Sequence, residues 1–269
     1  MAKVLFMSVI IFILQSLLST AMLFAEEKIK FVIGTDDTPG FPYMVGSGST
    51  FAKESPGIDV ELLSVMAKEL NLNVSFERVT WEGCLASLKQ GRFDAIFPAS
   101  YKEKRLQYGS YPRTKQGKLD EKRSLREISY SLYKLKGSPL KWDGNKITDI
   151  ALPIGTTRGW AIADDLVNMG VEVELNANPK YDLLKVIAGR IDAAAYHTRT
   201  IDSLIKENPI KYEKIEKVTP PLKNKKYYLM ISHQFQHKYP RLTEKIWNQV
   251  NKIYNSDIHF DLLKKYNEL

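Results

Sequence analysis

Two segments of the chain decide its fold: residues 88–95, LKQGRFDA, and residues 186–193, VIAGRIDA. Each reads as the end of an apolar helix, a glycine, and an Arg-x-Asp-Ala sequence that opens an apolar strand. A glycine at such a point can adopt the left-handed conformation that closes a helix. The same unit occurs once in each half of the chain, which predicts two similar α/β lobes.

A strand–helix–strand pattern precedes each copy of this unit. In the first half the predicted strands are 29–34, 74–79 and 93–97, and the predicted helices are 58–70 and 82–90. In the second half the strands are 150–154, 171–175 and 191–196, the helices are 160–167 and 181–188, and a turn falls at 155–157. Apolar periodicity supports these assignments. Strands that alternate with helices indicate mostly parallel sheets flanked by helices.

Two extended segments are predicted to cross between the lobes, at 129–134 and 227–231. The segment 239–266 is predicted to be helical and to return to the first lobe. We therefore expect lobe 1 to comprise 26–131 plus 232–269, and lobe 2 to comprise 132–231. Two crossings form a hinge, and hinged lobes enclose a cleft that can bind a ligand.

The first 25 residues have the pattern of a secretory signal peptide. Lys3 precedes an apolar run, and small residues lead to Ala25 and an acidic pair. The alternative is an uncleaved membrane anchor, because the apolar character persists for about 20 residues and Leu23 is bulky for a cleavage site. We expect a cleaved signal peptide and a periplasmic protein.

Charge and cysteine content exclude several classes of function. The net charge is +8, but basic and acidic residues alternate along most of the chain, so we expect solvated faces and no nucleic-acid binding. A polar segment at 112–127 is predicted to be a surface hairpin or loop, and its basic part, 113–126, either rims the cleft or contacts a partner.

Cys84 is the only cysteine, and we interpret it as a buried thiol rather than a nucleophile. The four histidines are dispersed, so we expect no metal and no cofactor.

The chain resembles a known family, the bacterial extracellular solute-binding proteins of family 3. The resemblance rests on 57–62 (GIDVEL), 88–95, Lys104-Arg105, 155–157 (GTT) and 189–193 (GRIDA), in this order and spacing. It implies a two-lobed periplasmic-binding-protein fold of type II. It also implies a monomer that is not an enzyme, and that closes on a small solute and delivers it to an ABC permease.

The resemblance implies a set of ligand contacts in the first lobe: Asp36, Tyr43, Trp81, Ser100 and Arg105. The family holds a ligand carboxylate with an arginine at the position of Arg105, because a guanidinium offers a planar, bidentate donor. The alternative is a surface arginine paired with Glu103. For Tyr43 and Trp81 the alternative is packing at the core or rim.

In the second lobe we expect Thr156, Thr157, Tyr196 and His197 to contact the ligand. The two threonines are predicted to lie at the start of a helix, where free N–H groups favour an anion or where one threonine simply caps the helix. His197 stands where amino-acid binders of the family present an aspartate to the ligand ammonium. A neutral histidine supplies no negative charge, so an organic acid or a modified amino acid becomes a candidate ligand. Asp202 is a possible replacement carboxylate.

The doubled Arg and Asp of the two units, Arg92 with Asp94 and Arg190 with Asp192, are interpreted as scaffold residues.

Two other functions stay open at this point. One is a ligand sensor that acts through a partner protein. The other is a dehydratase-like enzyme in which His197, Tyr196 and Glu82 form an acid–base set.

Overall fold

The computed structural model of the chain describes residues 27–38, 40–176 and 178–266. The predicted signal peptide, 1–25, lies outside these residues. The strands are β1 (Lys30–Asp36), β2 (Gly46–Ser47), β3 (Thr50–Phe51), β4 (Asn73–Val79), β5 (Ala95–Ser100), β6 (Gly109–Ser110), β7 (Arg126–Leu135), β8 (Lys141–Trp142), β9 (Ile147–Thr148), β10 (Ile154–Thr157), β11 (Val173–Asn176), β12 (Ala193–His197), β13 (Ile215–Lys217) and β14 (Lys223–Ser232).

The helices that flank these strands follow the same alternation. They are α1 (Ile58–Glu69), α2 (Trp81–Lys89), α3 (Ala161–Asn168), α4 (Pro179–Ile187), α5 (Thr198–Glu207), α6 (His233–Lys238), α7 (Pro240–Tyr254) and α8 (Asp257–Lys265), with short 3-10 helices at Glu103–Gln107 and Glu121–Arg123. Among the described residues, no helix is both long and apolar enough to cross a membrane.

The principal sheet has the strand order β11-β10-β12-β7-β14-β5-β1-β4, with β13 and β6 paired at its side. Its outer parts repeat one topology, because β4, β1 and β5 pair in parallel in one lobe, as β11, β10 and β12 do in the other. The predicted pair of α/β lobes is therefore present. The lobes share one sheet because the two crossing strands, β7 and β14, pair with each other in antiparallel fashion.

Each crossing strand changes its partner at a tyrosine. Tyr130 of β7 pairs with Lys223 of β14 on one side and with His197 of β12 on the other. Tyr227 of β14 pairs in the same way with Arg126 of β7 and with Ser100 of β5. The hinge between the lobes therefore passes through Tyr130 and Tyr227.

The glycines and aspartates of the doubled Gly-Arg-x-Asp-Ala unit have the scaffold role that was expected of the unit. Gly91 and Gly189 have φ angles of 72° and 66°, the left-handed conformation in which glycine closes a helix without a Cβ clash. Asp94 then accepts a hydrogen bond from the backbone N–H of Val32 at 2.8 Å, which fixes the start of its strand against β1.

The second copy explains why the predicted strand at 150–154 and turn at 155–157 are wrong. Asp192 accepts hydrogen bonds from the N–H groups of Ala151 (2.6 Å) and Leu152 (2.7 Å), which therefore stay outside the sheet. Pro153 has no N–H to donate, so β10 begins only at Ile154. Gly155 lies within this strand, where a Cβ would approach Asp182 Oδ2 to 2.6 Å.

The predicted C-terminal helical segment is α7 and α8. Trp247 and Val250 of α7 are buried in one apolar cluster with Phe31 of β1 and Ile58 of α1, and Trp247 Nε1 donates to the carbonyl of Leu229 at 2.8 Å. Burial of these side chains removes a large apolar area from water, and this packing holds α7 against α1 and the principal sheet.

The basic segment 113–126 has a buried arginine, Arg123. Arg113 and Leu119 form an antiparallel bridge, so the segment contains the predicted hairpin. Arg123 is buried and pairs with Asp120 at 2.9 Å and with Glu244 of α7 at 2.6 Å. The hairpin is thereby attached to the C-terminal helix.

A buried charged cluster joins three elements of the first lobe. Asp59 of α1 is fully buried and accepts hydrogen bonds from Arg126 Nε to both carboxylate oxygens at 3.1 Å and from Arg126 Nη2 at 2.9 Å. The hydroxyl of Tyr254 in α7 donates to the same carboxylate at 2.8 Å. A buried pair that is fully hydrogen-bonded is tolerated, but removal of one partner leaves an uncompensated charge.

Asp59→Ala should therefore lower the free energy of unfolding by about 3–5 kcal/mol, because Arg126 would stay buried without its carboxylate. Urea unfolding followed by circular dichroism measures this change. Lys141→Ala is the matched control, since its side chain is 77% exposed in an ion pair with Asp149 and its loss should change stability by less than about 0.5 kcal/mol. Equal effects of the two substitutions would contradict the role assigned to Asp59.

Candidate functional site

A cavity lies between the lobes, at the carboxyl ends of β1 and β5 and beside the start of α3. We call it the inner cavity, and its volume is about 30 Å³, enough for only a small group. Its wall contains predicted site residues from both lobes, namely Asp36, Trp81, Ser100, Arg105 and His197. The structure therefore brings these residues to one place.

Arg105 is the buried cation of the inner cavity, with 4% of its surface exposed. Its Nη1 donates to the carbonyl (2.8 Å) and hydroxyl (2.7 Å) of Ser100, and its Nη2 donates to the carbonyl of Gly159 in the second lobe at 3.0 Å. The guanidinium lies over the ring of Trp81, 5.0 Å from its centroid. The alternative of a surface pair with Glu103 is wrong, since Glu103 instead accepts a hydrogen bond from Tyr101.

Asp36 supplies the carboxylate of the inner cavity. It ends β1 and accepts hydrogen bonds from the N–H of Thr38 at 2.7 Å and from Trp160 Nε1, in the second lobe, at 3.2 Å. Burial raises the pKa of this carboxyl above its usual value, and the hydrogen bonds oppose that shift. Asp36 thus links the two lobes as well as lining the cavity.

His197 lies among aromatic side chains at the floor of the inner cavity. Its Nε2 is 2.9 Å from the hydroxyl of Tyr130 and 3.2 Å from that of Tyr227, and these two hydroxyls are hydrogen-bonded to each other at 2.5 Å. The ring of Trp160 stacks on the imidazole with centroids 4.2 Å apart. Burial, and secondarily the charge of Arg126, lowers the pKa of His197 to about 3, so the imidazole is neutral at ordinary pH.

The residues missed in the sequence are the aromatic ones of this floor. Tyr130 and Tyr227 fall within the predicted crossing segments, and Trp160 stands at the predicted start of a helix. Their secondary structure was therefore predicted, but their position in the wall of the inner cavity was not. The signal of the two tyrosines in the sequence was a tyrosine near the start of each predicted crossing segment. Only the pairing of β7 with β14 shows that both rings reach the cleft.

Asp202 does not replace the missing aspartate at position 197. Its carboxylate accepts hydrogen bonds from the Tyr133 hydroxyl at 2.8 Å and from Lys217 at 2.6 Å. It therefore belongs to a separate polar cluster between α5 and the sheet of the second lobe.

The predicted placement of Thr156 and Thr157 at a helix start is wrong. Both threonines lie in β10, and the Thr156 hydroxyl donates to the carbonyl of Ala195 at 2.8 Å. Helix α3 begins at Ala161, after a turn at Gly159 with a φ of 75°. The residues of the helix start that line the inner cavity are therefore Trp160 and Ala161.

Tyr196 is a fully buried side chain of β12. The Tyr196 hydroxyl donates to Asp182 at 2.6 Å, beneath α4, although its ring contacts Trp160 edge to face. The contacts of Thr156, Thr157 and Tyr196 with a ligand stay predictions.

Cys84 is buried, and burial raises the pKa of its thiol, so no thiolate is available at neutral pH.

Tyr43 lines a second, larger space that we call the outer cavity, with a volume of about 310 Å³. The two cavities share four lining residues, namely Gly40, Met44, His197 and Thr200. The guanidinium of Arg126 lies 3.8 Å from the centroid of the Tyr43 ring. Tyr43 therefore lines the outer cavity rather than the inner one, and its contact with a ligand stays a prediction.

Ion pairs across the cleft hold the lobes together in this structure. Lys102 and Lys104 of the first lobe pair with Asp165 at 2.9 Å and Asp164 at 2.7 Å, both on α3 of the second lobe. Together with the Arg105–Gly159 and Trp160–Asp36 hydrogen bonds, they show the cleft in a closed arrangement.

Comparison with known proteins gives one family and one fold. The family model for bacterial extracellular solute-binding proteins, family 3, matches residues 31–268. No curated protein gives a significant match to the sequence. The solved structures that resemble the chain include an ancestral arginine-binding protein bound to glutamine, with 17% identity, coverage of 91% of this chain and 100% of that chain, and a TM-score of 0.69.

Two further solved structures show the same likeness. The arginine-, lysine-, histidine-binding protein ArtJ from Geobacillus stearothermophilus has 20% identity, covers 88% of this chain and 94% of its own, and has a TM-score of 0.66. A histidine kinase sensor domain similar to periplasmic binding proteins has 18% identity, coverage of 90% and 97%, and a TM-score of 0.69. The fold is thus the two-lobed periplasmic-binding-protein fold of type II.

The neutral state of His197 makes stability depend on pH. In the unfolded chain this imidazole has its ordinary pKa of 6.5, whereas in the folded chain the pKa is about 3. Between these values the unfolded state binds the extra proton, so this contribution to stability is present above pH 6.5 and is lost as the pH falls. At pH 5 the loss should reach about 2 kcal/mol.

The urea midpoint of the wild type should therefore fall more between pH 7 and pH 5 than that of His197→Gln. The variant corrects for the other titrating groups, since it retains all of them. An equal fall in both proteins would show that the folded protein also binds a proton at this imidazole.

Proposed function

Because the chain belongs to the bacterial extracellular solute-binding proteins, family 3, we propose that it closes on a small carboxylate-bearing solute and presents it to an ABC permease. In this proposal it acts in the periplasm as a monomer after removal of residues 1–25. The closing lobes are those expected from the sequence, 26–131 with 232–269 and 132–231. It performs no catalysis and binds no nucleic acid.

The observation that carries this proposal is the state of Arg105. The guanidinium is buried in the cleft, yet its hydrogen-bond acceptors are the hydroxyl and carbonyl of Ser100 and the carbonyl of Gly159, all of them uncharged. Within the part of the chain that the structure describes, Arg105 forms no ion pair. A buried charge without a counter-charge is costly, and a ligand carboxylate would supply that counter-charge.

Closure around such a ligand follows from where its contacts lie. Ser100 and Arg105 belong to the first lobe, and Gly159 and Trp160 belong to the second. An anion bound at Arg105 can gain contacts from both lobes only when they are closed, so binding shifts the population toward the closed form. The hinge at Tyr130 and Tyr227 lies in the floor of the same cavity, which couples ligand contact to hinge geometry.

The class of ligand is narrowed by the charges of the inner cavity. His197 is neutral and gives no ion pair to an ammonium group, whereas Asp36 is the carboxylate in the cavity wall. An α-amino acid would therefore have to place its ammonium toward Asp36. An organic acid needs no such partner, so we propose organic acids and modified amino acids as ligands alongside amino acids.

Sensing is the second candidate, favoured by the likeness to a histidine kinase sensor domain. It uses the same binding step and differs only in the protein that receives the closed form. Crosslinking of the ligand-bound protein in its native membrane would distinguish a permease from a sensor kinase. The structure gives the enzyme alternative no support from its acid–base set, since Tyr196 and His197 do not bond to each other: the Tyr196 hydroxyl bonds to Asp182, whereas His197 bonds to Tyr130 and Tyr227.

A thermal-shift panel of amino acids, organic acids and polyamines tests the proposal. A ligand at about 100 times its Kd stabilises the native state by about 2.7 kcal/mol, which raises Tm by about 5–10 °C. Arg105→Ala should remove the shift for every carboxylate, since loss of a buried charge partner costs about 2–5 kcal/mol. Arg190→Ala, at an exposed arginine of the second Gly-Arg-x-Asp-Ala unit, should retain it.

Carboxylates that stabilise the wild type and Arg105→Ala equally would overturn the assignment of Arg105. A shift produced by polyamines alone would overturn the carboxylate class. In the latter case Asp36 would become the anchor to examine.

A further inference from the structure

The outer cavity carries two cationic side chains from different lobes. Arg126, the first residue of β7, and Arg199, in the first turn of α5, both lie over the ring of Tyr43, with guanidinium carbons 3.8 Å and 5.7 Å from its centroid. Both arginines line the cavity. One aromatic ring of the first lobe is thus associated with a cation from each side of the cleft.

Asp59 fixes the guanidinium group of Arg126 but does not bond to all of its N–H donors. Asp59 accepts hydrogen bonds from Nε and Nη2, so the donors on Nη1 are not taken by that carboxylate. The effect of this cation extends to the inner cavity, where it contributes to the lowered pKa of His197. The acidic residue in the outer wall, Glu127, pairs with Lys226 at 3.3 Å.

The two cavities are adjacent parts of one cleft. Gly40 and Met44 from the first lobe, and His197 and Thr200 from the second, line both of them. The inner cavity, about 30 Å³, holds Arg105, whereas the outer cavity, about 310 Å³, holds Arg126 and Arg199. A ligand whose first carboxylate is at Arg105 and whose chain passes His197 would extend into the outer cavity.

We propose that the outer cavity is a second ligand subsite that selects solutes with an anionic group, such as a second carboxylate, at the far end of the chain held by Arg105. This inference rests on the proposed function. The hydroxyls of Ser129 and Thr200 in the same wall are neutral donors that suit carboxylate oxygens. A cationic tail would be placed beside two guanidinium groups and is disfavoured.

Two series of matched probes test this subsite by isothermal titration calorimetry on the mature protein. Hexanoate, adipate and 6-aminohexanoate share one chain and differ in a neutral, anionic or cationic end. Norleucine, 2-aminoadipate and lysine repeat the comparison with an α-ammonium group. In at least one series the anionic tail should bind at least about tenfold more tightly than the neutral tail, and the cationic tail should bind more weakly than both.

Arg199→Gln should reduce affinity for the anionic-tail probe by at least about tenfold and leave the neutral-tail probe within about twofold. Arg190→Gln, at an exposed arginine on the same lobe, is the matched control and should change neither. Arg199 is preferred to Arg126 for this test because Arg126 also stabilises the fold through Asp59.

The outcomes separate this subsite from the Arg105 anchor. Neutral and anionic tails that bind equally, both lost in Arg105→Ala, would overturn the outer subsite and leave the anchor intact. An equal loss for both tails in Arg199→Gln would also overturn the subsite. If no probe of either series binds, the carboxylate proposal fails and the outer subsite fails with it.

Discussion

The pairing of the two crossing strands is the constraint on which the rest of this structure depends. Because β7 and β14 bond to each other, two lobes with the same topology share one sheet. Each crossing strand changes partner at a tyrosine, Tyr130 or Tyr227, and both hydroxyls contact His197 in the floor of the cleft. The parts of the chain that must move during closure are therefore the parts that a ligand would contact.

The charges of the cleft follow from this arrangement. The hinge strand β7 begins with Arg126, which is bonded to the fully buried Asp59, so a stability element of the first lobe also provides a cation at the cleft. Arg105 differs because its acceptors are uncharged. The structure therefore contains two kinds of arginine in the cleft, one with a carboxylate partner and one whose hydrogen-bond acceptors are all neutral.

Much of the fold could be predicted from the sequence, because the doubled helix–glycine–strand unit and the alternating apolar periods are local signals. The strand start at Ile154 could not, since it depends on hydrogen bonds that the N–H groups of Ala151 and Leu152 donate to Asp192, far later in the chain. Of the residues in the wall of the inner cavity, Asp36 and Ser100 were identified from the sequence because each lies at the end of a strand. Tyr130 and Tyr227 were not identified, because their side chains come together from strands that are distant in the sequence.

The histidine at position 197 is consistent with the electrostatics of the whole cleft. An aspartate there would lie close to Arg126, whose charge already contributes to the lowered pKa of His197, and would offset the positive charge between the two cavities. A neutral imidazole leaves that charge in place while it still hydrogen-bonds Tyr130 and Tyr227. Compared with an aspartate at this position, a neutral imidazole would attract a ligand ammonium less and would repel a ligand anion less.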